Sequence, residues 1–149
     1  MAAEAITPRL IESLYSDALL LADETRGYFD QAGTAERAAL SAAQRVLLAC
    51  EALKASTRLM QIIAWLLLRK AVAAGELAAG EADDPRRRLE DGPSVDPAAL
   101  ADFPAQARAL ILAGVELHQR VARLDAGAEP ERPVASPARA LLQRLQRSI

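Results

Sequence analysis

The sequence predicts an all-α protein: an antiparallel three-helix bundle with one long central helix, plus a short mobile C-terminal helix. Three observations predict it. Of 149 residues, 52% are hydrophobic but only 3% aromatic, so the core must be built from Ala, Leu, Ile and Val. A chain rich in Ala, Leu, Arg and Glu favours helix over strand. Apolar residues also recur at alternating spacings of three and four in three separate segments, the period of a helical stripe facing a partner helix. Finally, no Gly or Pro interrupts Ser41 to Ala74, enough for a rod of roughly 50 Å at 1.5 Å per residue. The length suits one ordinary domain. We read it as a bundle over residues 1–125, followed by a linker and flexible amphipathic segment over 126–149.

Residues 1–6 are expected to fray. Thr7-Pro8 then starts the first helix, because Thr7 can cap free N–H groups and Pro8 lacks the donor its position would waste. Its stripe is Ile11, Leu14, Ala18, Leu21, Thr25 and Tyr28. The helix should end near Ala32, with Gly33 as a left-handed stop. A short turn over Ala35–Ala39 precedes the second helix, which Ser41 and Gln44 open as a capping box and Gly75 closes.

This second helix carries two apolar seams. One is Ala43, Val46, Cys50, Leu53, Thr57, Met60, Ala64, Leu67 and Ala71; the other is Leu48, Ala52, Ala55, Leu59, Ile62 and Leu66. Their centres lie roughly 160° apart at 100° per residue. Two arrangements satisfy this. Either a second copy of the chain covers one seam, or one wide stripe meets two helices of the same chain. The first is adopted, with Leu48, Ala52, Ala55, Leu59, Ile62 and Leu66 as the expected homodimer interface.

Residues 76–103 read as a loop, from Asp83-Asp84-Pro85 and Asp91-Gly92-Pro93, with a short turn capped by Asp96-Pro97. The third helix begins around Pro104, with the stripe Ala107, Leu110, Gly114, Leu117, Val121 and Leu124. Gly114, costly in a helix interior, suggests close approach of another backbone. A linker follows Asp125. Ser136-Pro137 restarts a helix with Leu141, Leu142, Leu145 and Ile149 on one side and arginines on the other. Such a helix is too short to stand alone in water and is expected to be mobile until it docks.

Net charge is −2, so nothing pulls the whole chain toward nucleic acid. Locally, residues 1–30 hold six acids against two bases, residues 34–75 two acids against six bases, and residues 76–96 seven acids against three bases. Arg86-Arg87-Arg88 is neutralised by neighbouring acids and lacks aromatic residues for base stacking. The basic C-terminal residues Arg139, Arg144 and Arg147 are candidates for contact with an acidic partner or with an anionic surface of nucleic acid or membrane, or else form a solvated face. The most apolar run, Leu59–Leu68, is half the length of a bilayer span. No leader is visible at the N-terminus, and a cytoplasmic location with a reduced lone thiol is expected.

Little here carries catalysis. Single Cys and His residues exclude a disulfide framework and a multi-histidine metal site. A bundle di-iron motif needs Glu three residues before His, but Glu116 precedes His118 by two. Cys50 and His118 could form a nucleophilic pair only if brought together; each more readily serves packing. There is no phosphate-binding Gly-rich turn. No catalytic residue, metal or cofactor is therefore assigned. The alternative is a bundle with a ligand pocket around Trp65, Cys50 and His118, or a purely structural bundle.

Three stretches carry a more specific likeness. They are Thr57-Arg58-Leu59-Met60-Gln61 with Ala64-Trp65-Leu66 in the second helix, Ala22-Asp23-Glu24-Thr25-Arg26-Gly27-Tyr28-Phe29-Asp30 in the first, and Phe103-Pro104 leading to Arg120-Val121-Ala122-Arg123-Leu124-Asp125 in the third. Together they resemble the small bacterial family known as regulators of CtrA degradation, also described as a domain of unknown function. The resemblance implies a dimeric three-helix bundle and a non-enzymatic adaptor. Such adaptors join protein cargo, or another adaptor, to a ClpXP-type AAA+ protease during the cell cycle. It also implies a flexible tail that matters for delivery.

Overall fold

The computed structural model describes residues 7–127 and 144–147, and its regular elements are all helical. Helix α1 spans Pro8–Gly27. Thr7 caps it as expected, its Oγ1 accepting from the Leu10 N–H at 3.1 Å. Beyond Gly27 the chain loosens into a π-helical turn, Tyr28–Ala32, and Gly33 has φ −86°. Gly33 is therefore not the left-handed stop expected. Its lack of a side chain serves packing instead, because a Cβ there would lie 2.7–2.9 Å from the Tyr28 ring. That ring is buried, and its hydroxyl donates to Glu36 Oε2 at 2.6 Å from the short helix α2, Thr34–Ala38.

Helix α3, Ala42–Ala73, is the long rod. The Ser41/Gln44 capping box is present, with both reciprocal hydrogen bonds made. At the far end Gly75 takes φ +76°, which an L side chain resists. Glu76 N–H then reaches the Ala71 carbonyl and Gly75 N–H the Val72 carbonyl, satisfying the last turn. Two short helices, α4 (Ala79–Ala82) and α5 (Pro97–Ala101, capped by Asp96), punctuate the segment before α6, Ala105–Gly127. The predicted α6 stripe is buried apart from half-buried Leu124. A Cβ at Gly114 would meet nothing within 4 Å, so no backbone crosses there.

Helix α1 runs antiparallel to its neighbours: Glu12 near its start pairs with Lys70 near the end of α3 at 3.0 Å. Helices α3 and α6 run in the same direction. Trp65 meets Asp125, Gly92 sits between Arg58 and His118, and Leu48 shares a core cluster with Ala107 and Ile111. Parallel neighbours need a long return connection, and residues 76–104 supply it along the α3–α6 groove. The central core joins Leu14 and Ala18 of α1, Leu59, Ile62 and Leu66 of α3, and Leu117 and Val121 of α6. A second cluster around Tyr28, Leu48, Phe103 and Ile111 closes the other end.

The two seams of α3 are the reverse of the expected arrangement. Leu48, Ile62 and Leu66 are wholly buried, and Ala55 and Leu59 nearly so, by α1, α6 and the return segment of the same chain. Ala52 is half-buried at a groove wall. The expected homodimer seam is thus the intrachain core. The other seam faces outward, with Val46 63%, Leu53 71%, Met60 71% and Leu67 46% exposed. Hydrophobicity alone could not separate them, since the buried arc of α3 also takes in Glu51 and Arg58.

Candidate functional site

The two grooves beside α3 differ. Residues 88–94 seal the α3–α6 groove like a strap held by side chains of both helices. Arg58 donates through Nε and Nη2 to the Pro93 carbonyl at 3.1 and 2.8 Å. Lys54 Nζ bridges Glu51 Oε1 at 2.8 Å and the Ser94 carbonyl at 3.1 Å. His118 Nε2 lies 3.1 Å from the Glu90 carbonyl. The buried Asp125 carboxylate accepts from Trp65 Nε1 at 3.0 Å, Leu89 N–H at 3.2 Å and Arg88 Nε at 3.3 Å. Arg69 stacks on the Trp65 ring, 5.1 Å from its centroid.

Burial pushes the Arg58 guanidinium down from its usual range, and the Glu51 carboxylate partly restores it. Glu51 Oε2 and Arg58 Nη1 are buried without a hydrogen-bond partner among the described residues. The strap satisfies the rest of the Asp125 carboxylate and most of the Arg58 guanidinium, while Asp125 itself takes the Trp65 indole N–H. This is structural work, and it occupies the residues that a ligand pocket would have used. His118 lies under the strap, whereas Cys50 is exposed on the outward seam. Trp65, Cys50 and His118 do not converge.

The α1–α3 groove, in contrast, is uncovered. It encloses about 830 Å³ between Ala22, Arg26 and Phe29 of the first helical segment and Ala49, Leu53, Ser56, Met60 and Ile63 of α3. Its floor is apolar. One end gathers Arg26, Arg37 and Arg45 with a single acid, Asp30. Arg26 and Asp30 form an exposed pair at 3.6 Å, too solvated to hold much energy. Arg37 donates to the Phe29 carbonyl, and Arg45 Nη1 to the Leu40 carbonyl at 2.7 Å. Among the described residues neither makes an ion pair, so the end remains positive, reinforced by the nearby α3 N-terminus. An exposed apolar strip beside such a groove is what a protein contact uses.

Of the three tail arginines singled out from sequence, Arg144 and Arg147 lie on an exposed helical turn at 144–147, while Arg139 and the apolar residues Leu141 and Leu142 lie outside the described residues. The groove is not visible from sequence because Leu53 and Met60 of its wall fall in the seam assigned to the core, and of the bases over 34–75 only Arg37 and Arg45 line it. Among the described residues no three His, Cys, Asp or Glu side chains gather as a metal set, and no helix is long and apolar enough to cross a membrane.

Residues 2–149 match the profile of a family described as "Protein of unknown function (DUF1465)". The crystal structure of RcdA from Caulobacter crescentus CB15 superposes with a TM-score of 0.67 and 28% sequence identity, covering 83% of this chain and 93% of that one. No curated protein matches.

Proposed function

The chain belongs to the DUF1465 family, and on that premise we propose that it is a non-enzymatic, dimeric adaptor in regulated proteolysis. It resembles regulators that help deliver cell-cycle transcription factors to a ClpXP-type protease. The observation that carries this reading is the likeness to RcdA over nearly the whole of that chain. An uncovered apolar strip and groove, beside a second groove sealed by structural hydrogen bonds, is consistent with action through protein contacts alone. On this reading the partners are a second copy, a AAA+ protease or its adaptors, and protein cargo, in the cytoplasm. Arg139, Arg144 and Arg147 would contact an acidic partner surface. The second copy must meet surface other than the sealed seam of Leu48, Leu59 and Ile62.

The test is a pull-down with a trapped, proteolytically inactive protease complex, using the full chain and a form lacking residues 126–149. Retention of the full chain with its cargo, reduced by the truncation, is expected. Failure of the full chain to associate with the protease, its adaptors or cargo overturns the reading. Light scattering of the wild type tests the dimer separately.

A further inference from the structure

We propose that the α1–α3 groove is a docking site for one amphipathic helix of another protein, carrying acidic residues toward one end. The inference rests on the adaptor reading and names the chemistry of one partner. The groove's α3 wall from Arg45 to Ile63 is roughly 27 Å long at 1.5 Å per residue, room for about five helical turns. Its floor offers Ala22, Ala49, Leu53, Met60 and Ile63, spaced to receive residues at i, i+3, i+4 and i+7 of a guest helix.

Charge selects the guest. Arg26, Arg37 and Arg45 outnumber Asp30 at one end, so carboxylates there gain and ammonium or guanidinium groups lose. That disfavours the chain's own C-terminal segment, whose last fourteen residues carry three arginines and no acid. It also gives a second copy paired α3 to α3 nothing to answer these arginines with, because the one acid within α3, Glu51, is buried.

The experiment uses the full chain and two fluorescein-labelled synthetic helices about 18 residues long. Both share a Leu/Ala face; one carries Glu at an end and the other Lys. Anisotropy should show the Glu peptide binding about tenfold or more tighter, with the preference shrinking as salt rises. The double variant Arg26→Glu, Arg45→Glu should invert the order, and Leu53→Asp should abolish binding while leaving helical circular dichroism intact. Amide shifts in the wild-type protein, independent of any variant's folding, should cluster at Ala22, Phe29 and Ser56 and spare 88–94.

Equal binding of the two peptides, no binding, or shifts centred elsewhere overturns the proposal. So does a wild-type dimer that Leu53→Asp converts to monomers, since a second copy would then own the groove. A failed protease pull-down alongside selective peptide binding sinks the adaptor reading alone. A successful pull-down without peptide selectivity sinks the groove's assignment alone.

Discussion

Asp125→Ala removes the acceptor on which the strap and α3 converge. The carboxylate is 5% exposed and receives three donors, one from an indole that is itself 3% exposed. Its loss strands the Trp65 N–H, at about 1–3 kcal/mol for a buried donor left unmade. It also removes the carboxylate that pairs with the Arg88 guanidinium, whose side chain is 17% exposed. Breaking a buried pair costs about 3–5 kcal/mol in all. With a urea dependence of about 2 kcal/mol per molar for a small domain, the unfolding midpoint should fall by roughly 2 M. Asp125→Asn keeps an acceptor and should lose about half as much. The sole tryptophan, Trp65, reports the transition by fluorescence, and circular dichroism gives a second probe. If Asp125→Ala unfolds within about 1 kcal/mol of the wild type, the strap is not held in this way.

Four further outcomes follow from the structure. Gly33→Ala should destabilise by about 1–3 kcal/mol, because its methyl group would press on the Tyr28 ring. Gly114→Ala, which meets nothing, should stabilise by about 0.5–1 kcal/mol; thermal melts decide both signs. Leu59→Asp should unfold the chain rather than split a dimer, since it puts an unpaired charge in the core, whereas Leu53→Asp, on the surface, should change stability by less than about 0.5 kcal/mol in urea titration. Burial first, then the hydrogen bond to Glu36, raises the Tyr28 hydroxyl from 10.0 to about 12. The fold thus favours the neutral phenol. This contribution is complete below about pH 10 and fades as pH climbs toward 12. Compared with Tyr28→Phe, wild-type stability should therefore fall more steeply across that interval, as read by urea midpoints at successive pH values.

Local signals were legible in the sequence. Thr7-Pro8, the Ser41/Gln44 box, Gly75 and Asp96-Pro97 place helix ends through contacts within a few residues, and each is where the residues predicted. The identity of the buried seam was not legible, because it depends on partners far along the chain. Arg58 is buried only because Pro93, 35 positions later, offers its carbonyl, and Trp65 because Asp125 lies 60 positions on. A stripe containing Glu51 and Arg58 reads as solvent-facing until those partners are known. The parallel course of α3 and α6 was hidden for the same reason, as apolar periodicity carries no direction. The open groove followed from this inversion, so the candidate site lay among residues first assigned to packing.

The hydrogen bonds described for residues 88–94 come from both α3 and α6, so this segment acquires that full set only once those helices have met. Helices α1 and α3, joined by a short connection, face no such wait. Closure of the strap thus comes late in folding, after the Trp65–Asp125 hydrogen bond that marks the meeting of α3 and α6.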